Sequence, residues 1–319
     1  MAQQNQSFAT AIRPYGKGAI AEAARLIGAG LPVAVPTETV YGLAADATDE
    51  AAVARIFEAK GRPGFNPLIV HVSDLEQAET IGVFGAAARA LASAYWPGAL
   101  TLVVPLRPGS SIAPAVTAGL GTVALRSPAH PAMRDLLVAC GRPLAAPSAN
   151  ASGTISPTSA DHVVGSLEGR IPLVVDGGNT ELGLESTIVG FGGTGIVLLR
   201  PGPIDFAEIA ALAGLAEQKG SGRIEAPGQL RSHYAPAKPL RLGAARAEPG
   251  EWLIGFGAVP GDDTLSASGD LVEAAAGLFQ ALHRAEAQAR PRIAVAPIPD
   301  EGVGRAINDR LRRAAAPRT

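Results

Sequence analysis

The segment KGRPGFNPL, residues 60–68, has the residue types of a phosphate-binding loop. It lies between the end of a predicted helix and the start of a predicted strand, a common position for ligand loops. Gly61 and Gly64 allow close backbone approach, while Lys60 and Arg62 supply a point charge and a planar fork suited to phosphate. The same residues also fit a helix C-terminus with basic side chains complementing the dipole, so both interpretations stay open. Only four of the 27 basic residues are lysines, which favours a specific need for Lys60.

Other polar side chains stand where predicted strands end. The segments PTETVYGL (36–43) and PSANASG (147–153) follow strands, and open α/β sheets bind ligands at the carboxyl ends of their strands. Taken singly, each segment is more typical of a turn, and each strand-ending arginine of a surface charge. Together they form a set suited to a small polyanion that carries phosphates and a carboxylate. Its cations are Lys60, Arg62, Arg126 and Arg200, and its neutral donors are Thr37, Ser148, Asn150 and Ser186.

This set lacks a nucleophile–base–orienter arrangement, so it predicts phosphoryl-type chemistry driven by positioning and charge neutralisation. The sequence also lacks the GxxxxGK[ST] and GxSxG motifs. A GxGxxG string does occur at residues 190–195, but an apolar run follows it where a dinucleotide site requires a helix. We therefore predict a hairpin turn there.

The elements that position these residues alternate apolar strands with helical patterns. Strands are predicted at Pro32–Val35, Leu68–Val72, Leu100–Leu106, Thr122–Arg126, Leu144–Ala146, Leu173–Val175, Thr187–Gly190 and Ile196–Leu199. Helices are predicted at Ala19–Ile27, Asp49–Lys60, Pro131–Ala139 and Ser159–Leu167. The fold class is therefore α/β with a twisted mixed sheet, since the last strands lack intervening helices.

The length of 319 residues and a change in composition indicate two domains. We predict a catalytic domain at residues 1–206 and a Gly- and Pro-rich linker at 207–238. A β-α-β-α pattern over residues 239–319 then predicts a small Rossmann-like domain.

Composition excludes several classes of protein. A formal net charge of −2 and 4% aromatic residues disfavour a broad nucleic-acid-binding surface. The single cysteine, Cys140, excludes an intramolecular disulfide and a cysteine-based zinc site. The sequence shows neither a bilayer-length apolar run nor the layout of a signal peptide, so we expect a cytoplasmic protein without membrane contact.

Several motifs together are specific. PTETVYGLAADA, KGRPGFNPLIVHV, TVALRSPAHP, PSANASG, ESTIV and LLRPG resemble the YrdC-like family in order and spacing. With HYAP at residues 233–236 and GRAINDRLRRA near the end, the chain resembles the long, two-domain threonylcarbamoyl-AMP synthases over residues 10–315. One departure is that APGQLRS (226–232) precedes HYAP, where the family commonly has Met followed by basic and aromatic residues.

The resemblance implies synthesis of L-threonylcarbamoyl-adenylate and pyrophosphate from ATP, L-threonine and bicarbonate, with Mg²⁺ accompanying ATP. It implies ATP contacts from Lys60, Arg62, Gly64, Thr122, Asn150, Thr158, Arg200 and Tyr234. It implies threonine contacts from Thr37, His71, Arg126, Ser148 and Ser186. The residues implied at the reaction centre are Lys60, Arg62, Ser148 and Asn150, and no general base is identified.

The resemblance also implies that the linker is a lid, with Tyr234 closing over the nucleotide. Other proteins would then transfer the threonylcarbamoyl group to tRNA, with AMP as the leaving group. Because Lys60 is expected on a solvated loop, its replacement is expected to spare the fold.

Two alternatives remain open at this stage. One is a double-stranded RNA- or tRNA-binding, or ribosome-associated, module of the same fold, with weak RNA binding by a local basic patch. The other is carbamoyl-adenylate chemistry on a different substrate, as related domains have in hydrogenase maturation.

Overall fold

The protein is described by a computed structural model over residues 8–192, 195–220, 222, 225–230 and 232–317. In these ranges eleven strands form one large mixed sheet: β1 (Ala11–Pro14), β2 (Val33–Pro36), β3 (Tyr41–Asp46), β4 (Ile69–His71), β5 (Leu100–Pro105), β6 (Thr122–Arg126), β7 (Leu144–Ala145), β8 (Leu173–Asp176), β9 (Thr187–Gly192), β10 (Gly195–Arg200) and β11 (Ala216–Gln218). Their spatial order is β1-β8-β2-β3-β7-β4-β6-β5-β9-β10-β11.

Helices cover this sheet. They are α1 (Lys17–Gly28), α2 (Glu50–Lys60), α3 (Leu75–Ile81), α4 (Ala86–Tyr95), α5 (Pro114–Thr117), α6 (Pro131–Cys140), α7 (Ala160–Leu167) and α8 (Phe206–Ala213). Alternation along the strands divides the apolar side chains between two cores. For example, Val33 and Val35 of β2 pack with α1 and α6, whereas Ala34 joins the core that contains α2 and α7.

A second, smaller sheet is parallel throughout. It contains β12 (Leu240–Leu242), β13 (Glu251–Gly255), β14 (Asp263–Thr264) and β15 (Arg292–Val295), in the order β12-β15-β13-β14. Two helices, α9 (Leu271–Ala287) and α10 (Gly304–Ala314), pack on it. Its core extends to Val40, Ile155 and Leu184, so the two sheets belong to units in direct contact.

The predicted fold class is confirmed: a large twisted mixed sheet with helices, plus a small Rossmann-like unit. The predicted strands and helices are present within a few residues of their expected ends. Strands β9 and β10 pair in antiparallel fashion as the hairpin interpretation requires, although residues 193 and 194 of its turn lie outside the described residues.

Several elements were not predicted. The prediction for PTETVYGL was wrong in part, because Tyr41–Asp46 is strand β3 and pairs with β2, which leaves Thr37–Val40 as the turn between them. Strands β1, β11, β12 and β14 and helix α5 were missed as well. The division at residues 206 and 238 stays a prediction, and the segment 207–238 contains α8 and β11 besides the connection.

The linker (residues 207–238) covers one part of the large sheet. Side chains of five strands, Ile69, Val103, Ala124, Ile188 and Leu199, form a small apolar cluster with Ala226. The candidate site lies beside this cluster, between the large sheet and the linker. Among the described residues, no helix has the length and apolar character needed to cross a membrane.

Candidate active site

Seven of the predicted site residues line one small cavity of about 40 Å³: Thr37, Arg62, His71, Arg126, Ser148, Arg200 and Tyr234. They come from the β2–β3 turn, the loop after α2, strands β4, β6 and β10, the exit of β7 and the linker. The sheet brings them together because β7, β4 and β6 are neighbours. Residues separated by up to about 200 positions in sequence, such as Thr37 and Tyr234, therefore line the same cavity.

Arg126 and His71 stand side by side, since β4 and β6 pair with these two residues in register. The Arg126 guanidinium donates from Nη2 to Glu38 Oε1 at 2.6 Å, from Nη1 to Thr39 Oγ1 at 2.9 Å and from Nε to the Gly98 carbonyl at 3.0 Å. Burial, reinforced by the charge of Arg126, lowers the pKa of His71 to about 3, so its imidazole is neutral at pH 7.

Glu38 is an unpredicted part of this arrangement. Its second oxygen, Oε2, accepts from the backbone N–H groups of Ala129 and His130 at the start of α6. Burial alone would raise the pKa of Glu38, but the charge and hydrogen bond of Arg126, with backbone N–H donors such as that of Ala129, hold it below its usual value. The carboxylate is therefore ionised, and it fixes the orientation of Arg126.

Arg62 and Arg200 place two more charges around the cavity. Arg62 is held by the carbonyls of Asn66 and Pro67, at 3.2 and 2.8 Å. Arg200 donates to both the carbonyl and the hydroxyl of Ser186, at 3.0–3.1 Å. Burial lowers the pKa of Arg62 to about 10, so the guanidinium keeps its proton at pH 7. Two buried arginines facing one cavity predict an anionic ligand.

Lys60 differs from its prediction. Asp49 caps the start of α2 and Gly61, in the left-handed conformation with φ 58°, caps its end, so Lys60 is the last helical residue. Its side chain is only 2% exposed, and Nζ donates to the carbonyls of Ser148 and Asn150, each at 2.5 Å. Burial, and then the charge of Arg62, lower the pKa of the ammonium. The expectation of a solvated loop lysine was therefore wrong.

The linker closes the cavity. Pro227, Gly228, His233 and Tyr234 all line it, and the Tyr234 side chain is 1% exposed. Tyr234 also has φ 62°, a left-handed conformation that costs a non-glycine residue about 1–2 kcal/mol. Backbone strain of this kind persists where the surrounding structure enforces it, and it is frequent in ligand clamps.

The remaining predicted residues lie outside the cavity wall. The Ser186 hydroxyl accepts a hydrogen bond from Arg200, which does line the cavity. The same hydroxyl lies 2.7 Å from the Thr101 hydroxyl. Lys60, Gly64, Thr122, Asn150 and Thr158 do not line the cavity in this closed form. Asn150 Oδ1 is nevertheless buried without a hydrogen-bond partner among the described residues, as expected of a group that a ligand satisfies. The ligand roles of all thirteen predicted site residues stay predictions.

Sequence reasoning missed Glu38, Thr39 and Glu185 as parts of the site. Glu38 and Thr39 belong to the PTETVYGL segment, which the sequence analysis identified as a candidate ligand segment. Of its polar residues, however, only Thr37 was predicted to bind a ligand, although Thr39 lines the cavity as well. Glu185 precedes Ser186 in what looks like an ordinary turn. Its importance depends on Arg310, 125 residues further along the chain.

The fold and the site define a class of protein: a two-domain α/β protein with an arginine-lined cavity that the linker between its domains covers. Two family models match the chain. The Sua5/YciO/YrdC model, described as "Telomere recombination", matches residues 25–202, and the "Threonylcarbamoyl-AMP synthase, C-terminal domain" model matches residues 204–316. The chain belongs to the Sua5/YciO/YrdC family, in the two-domain form of the threonylcarbamoyl-AMP synthases.

Individual relatives agree over nearly the whole chain. The threonylcarbamoyl-AMP synthase of Bacillus subtilis is 43% identical, covering 94% of this chain and 93% of the relative. That of Pyrococcus abyssi is 40% identical, with 92% and 93% covered. The crystal structure of P. abyssi Sua5 complexed with L-threonine superimposes with a TM-score of 0.87 at 37% identity, over 97% of each chain.

Proposed function

We propose that the protein is an L-threonylcarbamoyladenylate synthase, which converts L-threonine, bicarbonate and ATP into threonylcarbamoyl-AMP and pyrophosphate. The observation that carries the proposal is the cavity that Arg126, Arg62 and Arg200 line together and that linker residues, Tyr234 among them, cover. The family relationship supports it. An amino-acid carboxylate and a nucleotide phosphate are the two anions that this arrangement fits.

Threonine binds at the Arg126 side in this proposal. Arg126 has five N–H donors, and three contacts within the protein leave it further donors for the threonine carboxylate. Neutral His71, whose Nδ1 is unpaired among the described residues, and the hydroxyls of Thr37 and Ser148 surround the rest of the amino acid in this proposal. The Ser186 hydroxyl, which accepts from Arg200 outside the cavity wall, is the remaining proposed threonine contact.

ATP binds at the Arg62 and Arg200 side, with contacts from Lys60, Gly64, Thr122, Asn150 and Thr158. The cavity of about 40 Å³ is far smaller than the several hundred Å³ of a usual ligand pocket. The linker segment that carries Tyr234 must therefore move before ATP enters, and it closes again over the nucleotide.

The reaction follows from charge positioning. The threonine amine forms a bond to the carbon of bicarbonate and loses a proton, water leaves, and a carbamate anion results. A carbamate oxygen then attacks the α-phosphorus in line and displaces pyrophosphate. Arg62 and Arg200 stabilise the charge that develops on the leaving pyrophosphate, and Mg²⁺ enters with the ATP phosphates as its counter-ion. Proteins that transfer threonylcarbamoyl groups to tRNA then consume the product.

The test is pyrophosphate release by the full chain with Mg²⁺-ATP. Release that requires both L-threonine and bicarbonate supports the proposal, and release that does not change when threonine is omitted refutes it. The RNA-binding alternative is disfavoured because Lys60, Arg62, Arg126 and Arg200 are each at most 9% exposed, which hides them from a duplex. Tight, salt-dependent tRNA binding in a filter assay would revive that alternative.

A further inference from the structure

Arg310 brings a buried positive charge from the small domain to the edge of the site. It lies in α10 and its side chain is fully buried. Nε donates to Glu185 Oε2 at 2.8 Å, Nη1 donates to Asp309 Oδ2 at 2.8 Å, and the guanidinium carbon lies 5.2 Å from the centre of the Tyr234 ring. A buried guanidinium is costly unless it is paired, so these contacts define a specific position for Arg310.

Glu185, the carboxylate that pairs with Arg310, lines the candidate cavity. Its Oε1 accepts from the Ser156 hydroxyl at 2.5 Å, and Oε2 takes Arg310. Burial would raise the pKa of Glu185, but the charges of Arg310 and Arg200 lower it, so the carboxylate is ionised. Glu185 thus lies within the electrostatic reach of two arginines from different domains.

Arg200 is anchored by the residue next to Glu185. Its Nε and Nη2 donate to Ser186, and the Nη1 side faces Gly228 of the linker. Without Arg310, the Glu185 carboxylate would keep only the Ser156 hydroxyl as a partner and would attract another guanidinium. The other arginine whose charge acts on Glu185 is Arg200, one of the two arginines at the proposed phosphate position.

The same helix holds the linker. Arg313 Nη1 donates to the Leu230 carbonyl at 2.6 Å, and the His233 backbone N–H donates to the Arg313 carbonyl at 3.3 Å. One turn of α10 therefore contacts both the linker and, through Arg310, the acidic residue of the site. This links the position of the small domain to the chemistry of the catalytic domain.

We infer that Arg310 is a positioning residue for ATP binding: it keeps Glu185 paired, so that the Arg200 guanidinium remains available to the nucleotide. The inference rests on the proposed function for the identity of the ligand. It gives the small domain a defined contribution to the active site, which is to neutralise a carboxylate that would otherwise compete with phosphate.

The test is a double-mutant cycle with Arg310→Met, Glu185→Gln and the double variant. We expect Arg310→Met to raise KM for ATP about tenfold while kcat and KM for threonine stay within about threefold, a coupling typical of side chains in one network. In the double variant no ionised carboxylate remains, so KM for ATP should return to within about threefold of Glu185→Gln alone. Arg312→Met is the matched control, since the Arg312 side chain is 60% exposed on the same helix.

Additive losses in the cycle, or equal losses in kcat and in both KM values, would overturn the inference, because a purely structural role produces them. If Arg310→Met does not fold, the cycle is repeated with Arg310→Gln, which removes the charge but keeps a polar side chain at this buried position; rescue by Glu185→Gln is again required. Calorimetric titration of each variant with ATP tests the inference even if the wild-type chain releases no threonine-dependent pyrophosphate, an outcome that would refute only the proposed function.

Discussion

Arg126 is oriented by Glu38, Thr39 and the Gly98 carbonyl before any ligand arrives. Such preorganisation lowers the entropic cost of binding, because the guanidinium is already fixed. Removal of this group should therefore affect threonine more than ATP.

We predict that Arg126→Gln weakens threonine binding by about 1.5–3 kcal/mol, the usual contribution of a hydrogen bond to a charged group. Calorimetric titration with threonine measures this, and KM for ATP should change little. Arg89→Gln removes an arginine from an exposed ion pair with Glu79 and serves as the control. Equal threonine affinity in wild type and Arg126→Gln would contradict the assignment.

Lys60 shows why residue-level prediction is incomplete. The sequence indicated a basic residue at a helix end, where most lysines are solvated, and it contained no sign that the PSAN loop would fold back onto the ammonium. The two carbonyls that Lys60 contacts lie 88 and 90 residues away in sequence, so the contact depends on the tertiary fold. The role of Lys60 in shaping the loop was therefore invisible before the structure.

We predict that Lys60→Ala lowers the free energy of unfolding by about 1–3 kcal/mol as well as the activity, because two buried carbonyls lose their donor. Urea unfolding measures the first effect. Lys17→Ala, at an exposed position at the start of α1, should leave stability unchanged. An activity loss without any loss of stability would instead support the solvated-loop interpretation.

At the scale of elements, the linker is the part whose position matters most. Gly228 has φ 87°, and an added Cβ would lie 2.7 Å from Tyr234 Oη and 2.8 Å from Arg200 Cδ. Both neighbours belong to the proposed nucleotide site, and neither distance is tolerable for a real Cβ. The closed form of the linker therefore requires glycine at this position.

Gly228→Ala is accordingly predicted to displace the linker, raise KM for ATP and increase amide hydrogen exchange in residues 226–237. Gly222→Ala is the matched control, because Gly222 lies in the same linker with a similar φ of 76° and nothing within 4 Å of an added Cβ. Equal effects of the two substitutions would mean that backbone strain alone, rather than contact with Tyr234 and Arg200, explains the loss.

Most helices and strands could be predicted because their apolar residues recur with a regular spacing. The strands that were missed lack such a spacing. The run Thr122–Arg126 was predicted with both ends correct. By contrast, Tyr41–Asp46 is buried at every residue, so it lacks the alternation of apolar and polar residues that marks a half-buried strand. The polar turn before this strand also resembled a ligand-binding loop. Short edge strands such as Ala216–Gln218, exposed at all three residues, carry too little apolar pattern to be recognised.

At the scale of the whole molecule, contacts between the domains were the least predictable feature. Arg310 is one of several arginines in a helix of strongly amphipathic sequence, where a surface position is the ordinary expectation. Its burial follows only from the docking of α10 beside Glu185 and Tyr234. Likewise, the rings of His162 and His283, from different domains, stack with centroids 3.7 Å apart.

The histidines make stability depend on pH. Burial lowers the pKa of His71 and His233 to about 3 and that of His162 to about 4, and it also lowers the pKa of His130 and His283. As pH falls below about 6.5, the unfolded chain binds more protons at these imidazoles than the folded protein does. Folding stability is therefore full above pH 6.5 and is lost as the pH falls.

Urea unfolding at pH 7.5 and pH 5 should show this loss, with about 2 kcal/mol from each of His71 and His233 at pH 5. Calorimetry should also detect proton uptake on unfolding between these values. Stability that stays constant, or rises, from pH 7.5 to pH 5 would contradict the buried, neutral state of the histidines.

The most direct measurement of the central claim is mass spectrometry of the product formed from ATP, L-threonine and ¹³C-bicarbonate. The account predicts a threonylcarbamoyl-adenylate whose mass rises by about one unit with the labelled bicarbonate, and whose formation at limiting threonine falls by about 10- to 100-fold when Arg126 is replaced by glutamine. An adenylate that lacks the ¹³C label, or one that forms with carbamoyl phosphate and not with threonine and bicarbonate, would contradict it.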